Sequence, residues 1–140
     1  QFFGKVIGLN ARKENEICQK YKDTLSIRMA SVNQAVEELS GGNQQKVVIS
    51  KWLASSPSIL ILDEPTRGID VGAKFEVYGL IQDMVSRGIS IIMISSELPE
   101  LLGLSDRVYV MHNGKINACL DRDQMDQQTV LNYAFGVNGK

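Results

Sequence analysis

Apolar and polar positions change rhythm several times along the chain. Residues 1 to 24 are mostly polar, with spaced apolar positions such as Ile7, Ile17 and Tyr21. Ala11 to Asp23 carries helix formers throughout and neither Gly nor Pro, which predicts a helix there. Residues 25–38 are mixed and read as a connection with one short helical turn. From Gly42, the residues Val47, Val48, Trp52 and Leu53 recur at helical spacing, with Ser40 placed as N-cap and Ser55-Ser56-Pro57 as the stop. Ile59 to Leu62 is a continuous apolar run closed by Asp63-Glu64-Pro65, the pattern of a short strand covered on both faces. A loop over 66–72 leads to a helix from Ala73 to Ser86. Its expected apolar stripe is Phe75, Tyr78, Ile81, Met84 and Val85, and Gly88 lies just beyond its end.

The second half continues in short elements, with no internal repeat. Ile89–Ile94 is another continuous apolar strand, followed by Ser95-Ser96 and a short helix over Glu97–Leu102. Arg107–Met111 is a third strand. Asn113-Gly114 is a hairpin turn signal from which Lys115–Leu120 returns. Asp123–Phe135 is expected as a terminal helix. Helices, then strand–helix–strand–helix–strand, then a hairpin define part of an α/β sheet with a helical lead-in. In open sheets of this kind ligands gather at the carboxyl ends of strands. Asp63-Glu64 and Ser95-Ser96 fall at two such ends, and neighbouring strands would bring them close together.

Composition narrows the function classes. The 140 residues are enough for one modest domain, 44% apolar and 22% charged. A net charge of −1 supplies no field for nucleic acid or an anionic membrane surface. The run Ile59–Leu62 is far too short to cross a bilayer. Cys18 and Cys119 lack partners at metal-ligand spacing and read as free thiols. His112, the single histidine, sits beside the hairpin turn and reads as structural. The chain opens on Gln1 without Met, as expected of a segment of something longer.

Two stretches carry chemistry. A carboxylate at the end of a buried apolar strand is costly unless it meets a cation, and hydrated Mg²⁺ on nucleotide phosphates is one such cation. Asp63 fits that role, and Glu64, pointing elsewhere, could accept a proton from an attacking water. An acidic pair that merely caps a loop fits the same residues. Ser40-Gly41-Gly42 offers backbone N–H groups, a hydroxyl and a helix N-terminus to phosphate oxygens. A plain helix entry fits it as well. The phosphate-cradling pattern G-x-x-x-x-G-K-[ST] does not occur in the sequence; Gly68–Lys74 has the wrong spacing, and Gly114-Lys115 is followed by Ile116.

LSGGNQQK (39–46) followed by ILILDEPTRGID (59–70) resembles the ATP-binding subunits of ABC transporters. The wording is most similar to the second nucleotide-binding domain of sugar importers of the ribose, galactose and xylose type. The resemblance implies an α/β fold, a partial P-loop NTPase (ABC ATPase) sheet. Residues 1–38 would end a helical subdomain. Residues 39–140 would form the signature motif and second half of the ATPase core, closed by the hairpin and helix.

By the same resemblance, Ser40 and Gly42 contact the γ-phosphate of ATP held on the opposite domain, Gly41 shapes the turn, and Gln44 belongs to the same surface. Asp63 supports Mg²⁺ through water, and Glu64 orients the attacking water. Asp70 reaches across the domain interface. Ser96 occupies the place of the family's switch histidine. A serine there lacks that residue's positive charge and reach, which puts efficient hydrolysis at Glu64 in doubt.

The implied partners are a second nucleotide-binding domain, membrane permease subunits and, indirectly, a sugar-binding protein, at the cytoplasmic face of the membrane. Without the phosphate cradle, the isolated chain is expected to hydrolyse little or no ATP. An open sheet edge is expected to favour self-association. Two other readings stay open: a soluble ABC-type ATPase acting on nucleic acid or ribosomes, and a non-catalytic module that retains the signature half.

Overall fold

The computed structural model describes residues 10–137; Ile7, one of the spaced apolar positions, lies outside them. Two compact units divide the chain after Ile94.

In the first unit, helix α1 (Ala11–Thr24) begins where Asn10 accepts from the Lys13 N–H, 3.1 Å away. Both ends agree with the sequence expectation to within a residue. None of its residues is buried, as its polar composition dictates. A single 3₁₀ turn (Val36–Glu38) is the short helical turn expected in the connection. Helix α2 (Gly41–Leu53) follows, then strand β1 (Ile59–Asp63), helix α3 (Val71–Ser86) and strand β2 (Ser90–Ile94). β1 and β2 pair in parallel, Ile59 opposite Ser90 through Asp63 opposite Ile94. α3 is the crossover between them and packs on β2 and α2.

Burial corrects three expectations in this unit. Leu60 and Leu62 are buried while Ile59 and Ile61 are 58% and 64% exposed, so β1 is covered on one face among the described residues. On α3 the buried positions are Val77, Ile81 and Met84, an i, i+4, i+7 set, whereas Phe75 and Val85 are exposed. Phe75 instead meets Tyr78 edge to face, with ring centroids 5.8 Å apart. On α2 the buried set is Gly42, Lys46 and Ile49, and Trp52, one of the apolar residues at helical spacing, is exposed. Both helices carry more apolar residues than one face can hold, so apolarity alone did not identify the inner face.

In the second unit, helix α4 (Leu98–Leu104) precedes strands β3 (Arg107–His112) and β4 (Lys115–Asp121), which pair antiparallel around Asn113-Gly114. Both turn residues have positive φ, as such a turn demands. β3, third in the expected strand order, therefore has the returning hairpin strand as its ladder partner. Val108, Val110 and Leu120 from this hairpin form a core with Val130 of helix α5 (Gln127–Ala134).

The expected terminal helix over Asp123–Phe135 is broken in two. Asp121 and Gln124 make a reciprocal capping box that closes a 3₁₀ turn at Arg122–Gln124, and Asp126 then starts α5 by accepting from the Thr129 N–H. Two aspartates at cap positions override the helix propensity between them. His112 is structural, as expected: its Nδ1 lies 2.8 Å from the Ala134 carbonyl and its Nε2 3.0 Å from the Asn113 amide nitrogen. Cys18 and Cys119 are free and exposed.

Candidate functional site

The signature turn is built at the entry of α2. Ser40 stands at the N-cap in extended conformation, as the sequence predicts, but its hydroxyl makes no bond to a backbone N–H of the helix. It accepts instead from the Asn43 side-chain amide at 2.8 Å. Asn43 is itself held by the Arg28 backbone N–H, which donates to its Oδ1 at 2.9 Å. Gln44 turns back along the chain, its amide donating to the Leu39 carbonyl at 2.8 Å and the Glu37 carbonyl at 3.5 Å. The α2 N-terminus is left to other acceptors, with the dipole and donor geometry that favour an anion.

The two glycines of the turn have distinct local reasons. A Cβ on Gly42 would lie 2.6 Å from the Ala73 Cβ in the first turn of α3. A Cβ on Gly41 would lie 3.1 Å from the Ile69 side chain in the loop before α3. Missing side chains thus let the signature turn sit directly on the 69–73 segment. Asp70 occupies the start of that segment and caps α3, accepting from the Ala73 N–H at 2.9 Å.

The acidic pair lies where expected, at the carboxyl end of β1. Asp63 is exposed and pairs in register with Ile94. Glu64, the next residue, has φ of +48°, a left-handed conformation that costs a non-glycine residue roughly 1 kcal/mol or more. Its N–H donates to the Ile94 carbonyl at 2.8 Å, and its carbonyl accepts from the Arg67 N–H at 3.2 Å. Pro65 and Thr66 behind it are almost wholly buried. The Glu64 carboxylate therefore rides on a turn pinned from both sides. Strain maintained at a carboxylate in this way is a feature of functional sites.

A third group was missed by sequence reasoning. Lys46, the last residue of LSGGNQQK, is 4% exposed. Its Nζ lies 2.8 Å from a Glu76 oxygen on α3 and donates to the Ser26 carbonyl at 3.3 Å. Arg28 reaches the other Glu76 oxygen at 3.4 Å. The Lys46 hydrogen bond and charge, with a smaller contribution from Arg28, hold the Glu76 carboxyl below its ordinary range against an opposing burial effect. Helical spacing from Gly42 to Lys46 and Ile49 was the available signal, but a lysine does not register as an inward residue.

In the second unit, Ser95 is engaged in its own chain. Its hydroxyl accepts from the Glu97 N–H at 3.0 Å and is hydrogen-bonded to the buried Glu100 carboxylate. Ser96 follows it and is exposed. Among the described residues no group of three or more His, Cys, Asp and Glu gathers to hold a metal.

A parallel βαβ unit with a glycine-bounded helix entry and a carboxylate at the strand end fits a partial α/β core of the ABC ATPase type. Comparison with known proteins agrees. The profile of the ABC transporter family matches residues 6–67. It is 54% identical over 130 residues to a ribose import ATP-binding protein from Geobacillus kaustophilus, covering 93% of the chain. It is 53% identical over 131 residues to a xylose import ATP-binding protein from Thermoanaerobacter pseudethanolicus, covering 94%. The chain spans 26% of the length of each of these relatives.

Among solved structures, the fold matches a chain of an inward-facing ABC transporter with a TM-score of 0.81 at 16% identity, over 96% of this chain and 53% of that one. It matches the cassette MJ0796, in a dimeric post-hydrolysis state bound to ADP and phosphate, with a TM-score of 0.70 at 19% identity, over 84% and 51%.

Proposed function

We propose that the chain acts as the signature-bearing half of a nucleotide-binding domain in an ABC importer that uses ATP to drive uptake of a small sugar. The observation that carries this reading is the signature turn itself. Ser40 stands exposed at the start of a 13-residue helix, with its acceptor side occupied by Asn43 and its glycines seated on Ile69 and Ala73. The hydroxyl proton and the helix N–H groups then face a phosphate brought by another domain. Gln44 supports that face through the turn it ties together, and Asp70 through the helix it caps.

Asp63 suits hydrated Mg²⁺: a single exposed carboxylate is enough for an ion that takes most of its ligands from water and phosphate. When bound, that ion would neutralise phosphate charge. Glu64 holds its carboxylate on a rigid turn, fit to orient a water. By the resemblance Ser96 holds the switch position and supplies no cation there, so the signature face is the chain's main contribution. In phosphoryl transfer such positioning and charge stabilisation supply most of the rate. The partners of this reading are a second nucleotide-binding domain, membrane permease subunits and a sugar-binding protein, with the chain at the cytoplasmic membrane face. The dimeric cassette neighbour and the importer relatives support it.

The test is a chimera in which this chain replaces the matching segment of the ribose import ATP-binding protein of G. kaustophilus. ATP turnover within about threefold of the parent is expected, while the 140-residue chain alone turns over little or none. A folded chimera without turnover, or robust Glu64-dependent turnover by the chain alone, would contradict the reading.

A further inference from the structure

Ser40 and Asn43 stand one helical turn apart, and their side chains meet. Which end of the Asn43 amide faces Ser40 is settled by its other partner. The Arg28 backbone N–H can only donate, so the amide oxygen must face it and the amide NH₂ must face Ser40. The Ser40 oxygen therefore accepts, and its own proton points away from Asn43. Arg28 is in turn held on α3 through Glu76, which also grips Lys46 from the next turn of α2. The chain of contacts runs from α3 through Arg28 and Asn43 to one hydroxyl.

We propose that Asn43 is a positioning residue for Ser40. It fixes the serine rotor so that the hydroxyl presents its proton outward, ready to donate to a phosphate oxygen. This rests on the reading of Ser40 as a phosphate donor. A donor already aimed at its target loses no freedom when the phosphate arrives. Without Asn43 the rotor is free to turn. With aspartate in its place the shape and the Arg28 bond survive, but the carboxylate accepts and draws the Ser40 proton inward.

The experiment measures ATP turnover of the full-length chimera for S40A, N43A, N43D and N43Q, and for N43A in the S40A background, with thermal midpoints as a folding control. N43A is expected to lower kcat/KM about fivefold and N43D at least about tenfold, the scale of losing or reversing one hydrogen bond. N43Q keeps an amide donor and recovers most of the activity. In the S40A background N43A changes nothing further, because the residue through which it acts is gone. A purely structural asparagine would give the same loss with or without the hydroxyl, together with a lowered thermal midpoint, and that result overturns the proposal. So does an N43A turnover equal to the unsubstituted chimera when S40A is impaired. If S40A itself turns over normally, the reading of Ser40 fails and takes this inference with it.

Discussion

At the scale of single residues, the ion pair between Lys46 and Glu76 is asymmetric. Lys46 is buried and Glu76 is half exposed. Removing the glutamate strands a buried cation, whereas replacing the lysine by an apolar chain leaves a carboxylate that water can reach. E76A is therefore expected to destabilise the chain by about 1–2 kcal/mol, less than for a fully buried pair. K46M should stay within about 1 kcal/mol of the starting protein. Urea unfolding measures both; equal losses for the two variants would contradict this asymmetry. The acid side carries the same signature. Glu76 has its folded pKa held down, so its contribution is complete above the ordinary glutamate range. It is lost as pH falls through the lower folded value. E76A should remove that part of the acid dependence.

At the scale of elements, α2 and α3 approach through a glycine. G42A would drive a methyl into Ala73, 2.6 Å away, and is expected to cost about 1–3 kcal/mol in thermal unfolding. A73G should recover part of that loss by vacating the same space. A G42A midpoint equal to wild type would show that the helices separate freely.

Legibility followed chemistry that is local in the chain. The helix starting at Ala11, the hairpin at Asn113-Gly114 and the acidic end of β1 are short-range signals, and the structure has them where expected. The inner faces of α2 and α3 were misread, because Trp52 and Phe75 look like core while Lys46 does not. Of the candidate site, LSGGNQQK and the Asp63-Glu64 strand end could be read directly. The Asn43 and Arg28 contacts could not, because 15 residues of chain separate them. The positive φ of Glu64 was hidden as well, since glutamate carries none of the usual marks of that conformation.

At the scale of the whole molecule, the β1–β2 sheet presents one apolar face. Ile59, Ile61, Ile92 and Ile94 are each more than half exposed, and the parallel register sets Ile61 beside Ile92. A two-stranded sheet with such a face invites pairing with another chain. The 140-residue chain is expected to self-associate as concentration rises, read by light scattering. A monomer throughout would count against it.

The central claim is a division of labour: Ser40-Gly41-Gly42 would complete a nucleotide site held mainly by another domain, while Asp63-Glu64 would belong to a second, weaker site. ATP turnover of the chimera, compared between S40A and E64Q, tests it most directly. The account predicts that S40A lowers turnover at least about tenfold and that E64Q lowers it by less than about threefold. A turnover abolished by E64Q and untouched by S40A would contradict it.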